Sequence, residues 1–525
     1  MRIVGRAIAA VALLVFVAAV ARLDTLQMGD PPHLQLMLPN DLPATLYLPG
    51  TGHPFYNPVT PRSSGPRPPG VVLLHGFAAD RSMMSVLARR LANNGFAVCA
   101  IDFRGHGGNR NPFRAEFVGN ESLYPDVKEA VDFMRSTPYV DGSKLAIVGH
   151  SMGAEAALDY VSHDPNVIGS VLISGGWSLD GPERPRNTLF IFASGDPGIV
   201  RRNSPAIAAQ LAGVDRVELG RSYGEQAAGT GVKALEVEDV NHVTILFSAD
   251  AAREIIGWLD GVFGMPSRAD PDLSAPSFST AAIAFAAFCV MLMLLGEALG
   301  KIAPSRERRP ADAGSLLGLG MLAAGLVLAM PLAAPPPPAD FLCLELAGVA
   351  FSWLGIAGGA LLAVLVIGRN LNGLRLFEQP MQTLLAAFLG IGAIYVLMAP
   401  FGPVFHRLAL TPERLIAGVL ATLVLAPFFI AFEVLVRRGR PGIATLLAML
   451  GRMLIVAILA GGILTGVMPA GVTLMLPILG GLFVLFEILA ASIYQACGNI
   501  IAIALVEAAW LALIAAATLP IRIML

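Results

Sequence analysis

Residues 145–153 read LAIVGHSMG, an apolar run that enters Gly149-His150-Ser151-Met152-Gly153. A serine between two glycines, after a strand and before a helix, stands exposed at the top of a sheet at a helix N-terminus. The glycines suit a turn too tight for side chains. A serine hydroxyl is a weak nucleophile near neutral pH and needs a base. The chain has eight histidines, at 33, 53, 75, 106, 150, 163, 242 and 406. His242, in EDVNHVTI just after the last apolar strand, is placed where a loop returns over the sheet edge and is the expected base. The His150 ring is expected to point away from the serine oxygen, His163 ends a helix, and His406 falls between membrane segments. The acid that orients the base is expected between Ser151 and His242 in chain order. Asp196, in SGDPGI after TLFIFAS, fits best, with Asp239 the rival and Asp180 too early for a strand end. Asp196 also suits a helix N-cap. Acyl transfer requires donors for an oxyanion. The N–H of Met152, next after the nucleophile, and that of Phe77, in HGF after the strand at 71–75, are the expected pair, with His75 structural. This chemistry requires no metal or organic cofactor.

The elements that must position these groups alternate along the chain. LQLMLPNDLPATLYLPG (34–50) reads as a hairpin. Strands are expected at 70–77, 96–103, 144–149, 167–173, 188–194 and 232–239, and helices at 81–94, 122–136, 151–162, 198–212 and 249–263. Strands that alternate with helices imply a doubly wound, mostly parallel sheet.

With these pieces in order, residues 34–264 resemble the α/β-hydrolase superfamily, in its esterase, dienelactone-hydrolase-like and acyl-peptidase branch. The resemblance rests on HGF at 75, DFRGHG at 102, GHSMG at 149, SGD at 194 and NH at 241. It implies an α/β-hydrolase fold, a serine hydrolase activity and a triad of Ser151, His242 and Asp196. The superfamily hosts esterases, lipases, peptidases, thioesterases and acyltransferases, so it leaves the substrate open. The 174–187 connection is short where many relatives insert a lid, which implies an open site, and the Gly-rich stretch 219–231 departs from the pattern.

The rest of the chain differs in kind. Of 525 residues, 55% are hydrophobic and only 14% charged, where soluble chains carry nearer a quarter. A net charge of −2 gives no nucleic-acid footprint. The charge concentrates in 24–275, and from 279 onward long apolar runs dominate. The expected domains are a signal anchor or signal peptide at 1–23, the α/β-hydrolase domain at 24–265, a linker at 266–278, and an all-α polytopic domain of about eight spans at 279–525. Basic connectors at 300–313, 368–381 and 437–442 fall on one side, the cytoplasmic one, which leaves the hydrolase domain extracytoplasmic on a plasma-membrane protein. Glu297, Glu345, Glu433, Arg452, Glu487 and Glu507 lie within apolar runs. Glu433 is near enough to the basic end to reach water, and Arg452 could begin a shorter span at 453–469. Arg452, Glu487 and Glu507 could otherwise pair between antiparallel helices, structurally or in transport. The expected function is an ester-cleaving serine hydrolase acting on small-molecule or lipid esters at the bilayer. A peptidase or acyltransferase with the same triad is the first alternative, and a transporter or membrane scaffold with an accessory hydrolase domain is the second.

Overall fold

A computed structural model describes residues 10–21, 31–49, 67–113, 123–179, 181–266, 271, 273, 278–303, 314–333, 341–368, 379–402, 406–408 and 410–522. The expected linker 266–278 and the connectors 304–313 and 369–378 lie largely outside these residues. The chain divides into two compact units. One comprises Leu23–Ser277 together with Phe401–Ala409, and the other Met1–Arg22, Phe278–Pro400 and Leu410–Leu525.

The first unit is built on nine strands: β1 (His33–Leu38), β2 (Leu42–Tyr47), β3 (Pro69–Leu74), β4 (Ala97–Ile101), β5 (Asp141–His150), β6 (Gly169–Ile173), β7 (Thr188–Gly195), β8 (Ser222–Tyr223) and β9 (Val232–Asn241). Their order across the sheet is β1-β2-β4-β3-β5-β6-β7-β9-β8. The block from β4 to β9 is parallel, whereas β1, β2 and β8 run antiparallel at the edges. Parallel strands need both faces covered, and their near-continuous apolar sequences follow from that. Alternate residues of β3 divide accordingly. Val72 and Leu74 join one core with helices α3 (Tyr124–Ser136), α4 (Met152–Val161) and α5 (Gly198–Ala212). Val71 and Leu73 join the other with α2 (Ser85–Asn93) and α6 (Ala249–Phe263). From β3 the chain winds outward to β4 on one side, and from β5 it winds outward through β6 on the other. A crevice opens at such a switch point, beyond the strands' carboxyl ends. The loops leaving β3 and β5 border it.

The second unit holds helix α1 (Ala10–Ala21) and α7 (Phe278–Ile302), α8 (Gly314–Ala333), α9 (Ala347–Ile367), α10 (Pro380–Met398), α11 (Pro412–Val436), α12 (Pro441–Leu464), α13 (Met475–Ala496) and α14 (Ile500–Thr518). Eight of its described helices, α7 to α14, are long and apolar enough to cross a bilayer. α11 packs along α14 and α9, and α13 along α7. Four of the charges within the apolar runs, Glu433, Arg452, Glu487 and Glu507, converge around Arg437, whereas Glu345 pairs with Arg522. Arg437 donates to Glu433 from Nε at 2.6 Å and to Glu487 from Nη1 at 2.6 Å. Arg452 bridges Glu487 and Glu507. Two readings of these residues need correction. Glu433 is fully buried and ion-paired rather than reaching water. Arg452 lies within a continuous α12 rather than starting a shorter span. Both follow from one cause: in an apolar interior each charge needs a partner, which Glu433 finds one turn along its own chain in Arg437, and Arg452 in Glu487 and Glu507 on the neighbouring α13 and α14.

Candidate active site

The turn after β5 is set by its glycines. A Cβ on Gly149 would collide with the Gly153 carbonyl, and one on Gly153 would stand 2.6 Å from the His75 carbonyl oxygen. Ser151 between them takes φ 53° and ψ −117°. This region is strained for a residue with a side chain, and such strain concentrates at functional sites. The turn lifts the hydroxyl above the sheet, and α4 begins at the next residue.

Ser151 Oγ lies 2.9 Å from His242 Nε2, and His242 Nδ1 lies 2.6 Å from Asp196 Oδ1. Burial alone would raise the Asp196 carboxyl. Hydrogen bonds from His242, from the Ser174 hydroxyl and from the Ala193 N–H outweigh it and hold the group below its usual range. An ionised carboxylate only accepts, so Nδ1 carries the imidazole proton and Nε2 is free to accept the serine proton. The three expected residues thus meet, delivered by the ends of β5, β7 and β9. Asp239 is exposed, with φ +58°, and takes no part. Asp180 falls outside the described residues. The N-cap reading of Asp196 is corrected: the cap of α5 is Pro197, with no side-chain cap bond. The Asp196 oxygens are turned to the strand ends instead.

The loop after β3 borders the serine. A Cβ on Gly76 would sit 3.3 Å from Ser151 Cβ, so the Gly76–Phe77 segment lies directly against Ser151. His75 is fully buried beneath it. It donates from Nδ1 to the Gly76 carbonyl at 2.7 Å and accepts the Phe103 N–H on Nε2 at 3.0 Å. Burial pushes its imidazole below the usual range. Met152 opens α4, where backbone N–H groups point outward from the helix end.

Three supporting contacts escaped the sequence reading. Ser174, at the end of β6 with φ +52°, donates to Asp196 Oδ2 at 2.7 Å. His150 donates from Nε2 to the His242 carbonyl at 2.7 Å, which fixes the His242 backbone. Burial and the nearby His242 push its imidazole down to about 3, so it stays neutral. Glu155, in the first turn of α4, is buried and accepts the Gly176 N–H at 2.5 Å and the Trp177 N–H at 2.9 Å. Burial raises its carboxyl to about 7 against those bonds. It thereby ties α4 to the segment that follows Ser174. None of the three carries a local motif, since each acts across the sheet.

Residues 67–192 match the family described as "Serine aminopeptidase, S33". The unit is an α/β hydrolase. Among curated relatives, an uncharacterized protein of Mycobacterium tuberculosis is 35% identical over 105 residues, 20% of this chain and 36% of the relative. The bis(hydroxyethyl) terephthalate hydrolase of Streptomyces coelicolor is 30% identical over 132 residues, 24% and 39% of the two chains. Human acyl-coenzyme A thioesterase 6 is 31% identical over 134 residues, 25% and 26%. The chain therefore spans little more than a third of the length of these relatives at most.

Proposed function

We propose that the protein is a membrane-anchored serine hydrolase that cleaves carboxylic esters through an acyl-enzyme. The observation that carries this reading is the unbroken chain Ser151 Oγ–His242–Asp196 at hydrogen-bond distances, on a strained serine. His242 Nε2 takes the Ser151 proton as Oγ attacks the acyl carbon, and Asp196 stabilises the imidazolium. The N–H groups of Met152 and Phe77 receive the oxyanion. His242 then returns the proton to the departing alkoxide, and water, activated by the same base, releases the acid. Similarity to a bis(hydroxyethyl) terephthalate hydrolase and to an acyl-coenzyme A thioesterase supports an acyl substrate.

Ile199, three residues past Asp196, and Val243, next to His242, are exposed apolar side chains. They support an apolar acyl group, and with eight candidate spans in the same chain, a lipid or cell-envelope ester. Basic-connector counting puts the hydrolase unit outside the cytoplasm. The grouping of Phe401–Ala409, on that same side by the count, with the hydrolase unit supports it.

The family description favours one rival, aminopeptidase activity. The two are separated by turnover of p-nitrophenyl esters of graded chain length against aminoacyl nitroanilides, with the full chain in membranes. Ester turnover that vanishes in Ser151→Ala is expected; faster cleavage of the anilides would replace the ester reading with the peptidase one.

A further inference from the structure

The turn that leaves β3 carries Phe77, and its far end is anchored from an unexpected part of the chain. The Ala79 N–H bonds the Gly76 carbonyl at 3.3 Å around Ala78, which sits at φ +55°. Asp80 closes the turn and is buried, with 1% of its surface exposed. Its Oδ1 accepts the Ser82 N–H at 2.8 Å. Its Oδ2 accepts the backbone N–H of Arg407 at 3.1 Å and lies 3.4 Å from His406 Nδ1. The same ring nitrogen stands 3.1 Å from the Leu408 N–H. Residues 406–408 stand in sequence between α10 and α11, two candidate spans, yet they belong to the compact unit of the hydrolase.

A buried carboxylate is tolerated only where donors satisfy it. One oxygen of Asp80 is satisfied locally; the other depends on residues more than three hundred positions away. The conformation of the 76–80 turn, and with it the aim of the Phe77 N–H, therefore rests on the 406–407 backbone. Oxyanion donors tolerate little displacement, because their effect is confined to the position the developing charge occupies.

We propose that His406 and Arg407 are positioning residues for the oxyanion loop, so that catalysis by the hydrolase unit depends on the segment between α10 and α11. The proposal rests on the serine-hydrolase reading above. Its essential contact is a backbone N–H, which makes the side chain dispensable and the donor not. In the full-length protein, Arg407→Pro removes the N–H and is expected to lower kcat on a p-nitrophenyl ester about tenfold with KM within about twofold. Arg407→Ala keeps the N–H and stays within about twofold of wild type, and His406→Ala loses kcat by about threefold, on the same scale of a weakened oxyanion contact. Thermal melting reports the fold, and kcat expressed per folded site, counted by active-site titration, separates positioning from a folding defect, which lowers the site count instead. Should Arg407→Pro not fold, His406→Ala and Asp80→Asn decide. Wild-type kcat in those folded variants overturns the proposal. Absence of turnover in the wild type overturns instead the hydrolase reading beneath it.

Discussion

Ser174 Oγ–H, 2.7 Å from Asp196 Oδ2, is one of three donors, with His242 and the Ala193 N–H, that hold the Asp196 carboxyl below its usual range. Ser174→Ala removes a hydrogen bond to a charged group, worth about 1.5–3 kcal/mol. Steady-state kinetics are expected to show kcat reduced about tenfold or more with KM little changed, because the loss bears on the imidazolium formed in the transition state. Glu155 gives a prediction in pH. Its folded carboxyl lies at about 7 against an ordinary value of 4.5. Between these values the folded state holds the proton that the unfolded chain releases, so this group's contribution to stability falls as pH rises through the window. Glu155→Gln removes that dependence. Denaturant titrations at pH 4.5 and pH 8 should show the variant spared a loss on the order of 3 kcal/mol relative to wild type; parallel pH profiles would argue against the assignment. Ser151, His242 and Asp196 were legible because each follows a strand in an order that chain sequence preserves. Ser174, Glu155 and Asp80 were not, since nothing in ISGGW or AAD signals a partner twenty or three hundred residues away.

At the scale of elements, periodicity carried most of the fold. The apolar runs that became β3 to β7 were readable because a strand covered on both faces has no polar side. Helices α5 and α6 begin and end at the expected residues, α5 closing on Gly213 and α6 on Gly264, both left-handed. The two-residue edge strand β8 inside the Gly-rich stretch 219–231 was missed, as its pairing with β9 has no apolar signature. The start of α6 yields a test that is independent of catalysis. Ser248 caps it by accepting the Ala251 N–H at 3.2 Å. Ser248→Ala is expected to cost about 1 kcal/mol in unfolding free energy and to leave kcat unaltered. The candidate spans were countable from length and hydropathy, but not which helices adjoin. For that reason Glu433 looked solvated from its nearness to Arg437 and Arg438, when its partner was Arg437 itself, folded back one turn.

For the whole molecule, the ion network formed by α11, α12, α13 and α14 makes the second unit's assembly depend on single carboxylates. Glu487 accepts from both Arg437 and Arg452. Glu487→Ala leaves both guanidiniums short of a partner, a change that costs about 3–5 kcal/mol for a buried pair. A lower melting temperature of the detergent-solubilised protein is the expected readout, and an unchanged one contradicts a structural role for the network. Orientation is tested by reporter fusions in 300–313, expected to report the cytoplasm. The account as a whole turns on Ser151 being the activated nucleophile of an exported hydrolase unit. The most direct test is labelling of the full-length protein with a fluorophosphonate, followed by mass spectrometry of the modified peptide. The account predicts a single adduct on Ser151, absent in Ser151→Ala and strongly slowed in His242→Ala. An unlabelled wild type, or an adduct on another residue, contradicts it.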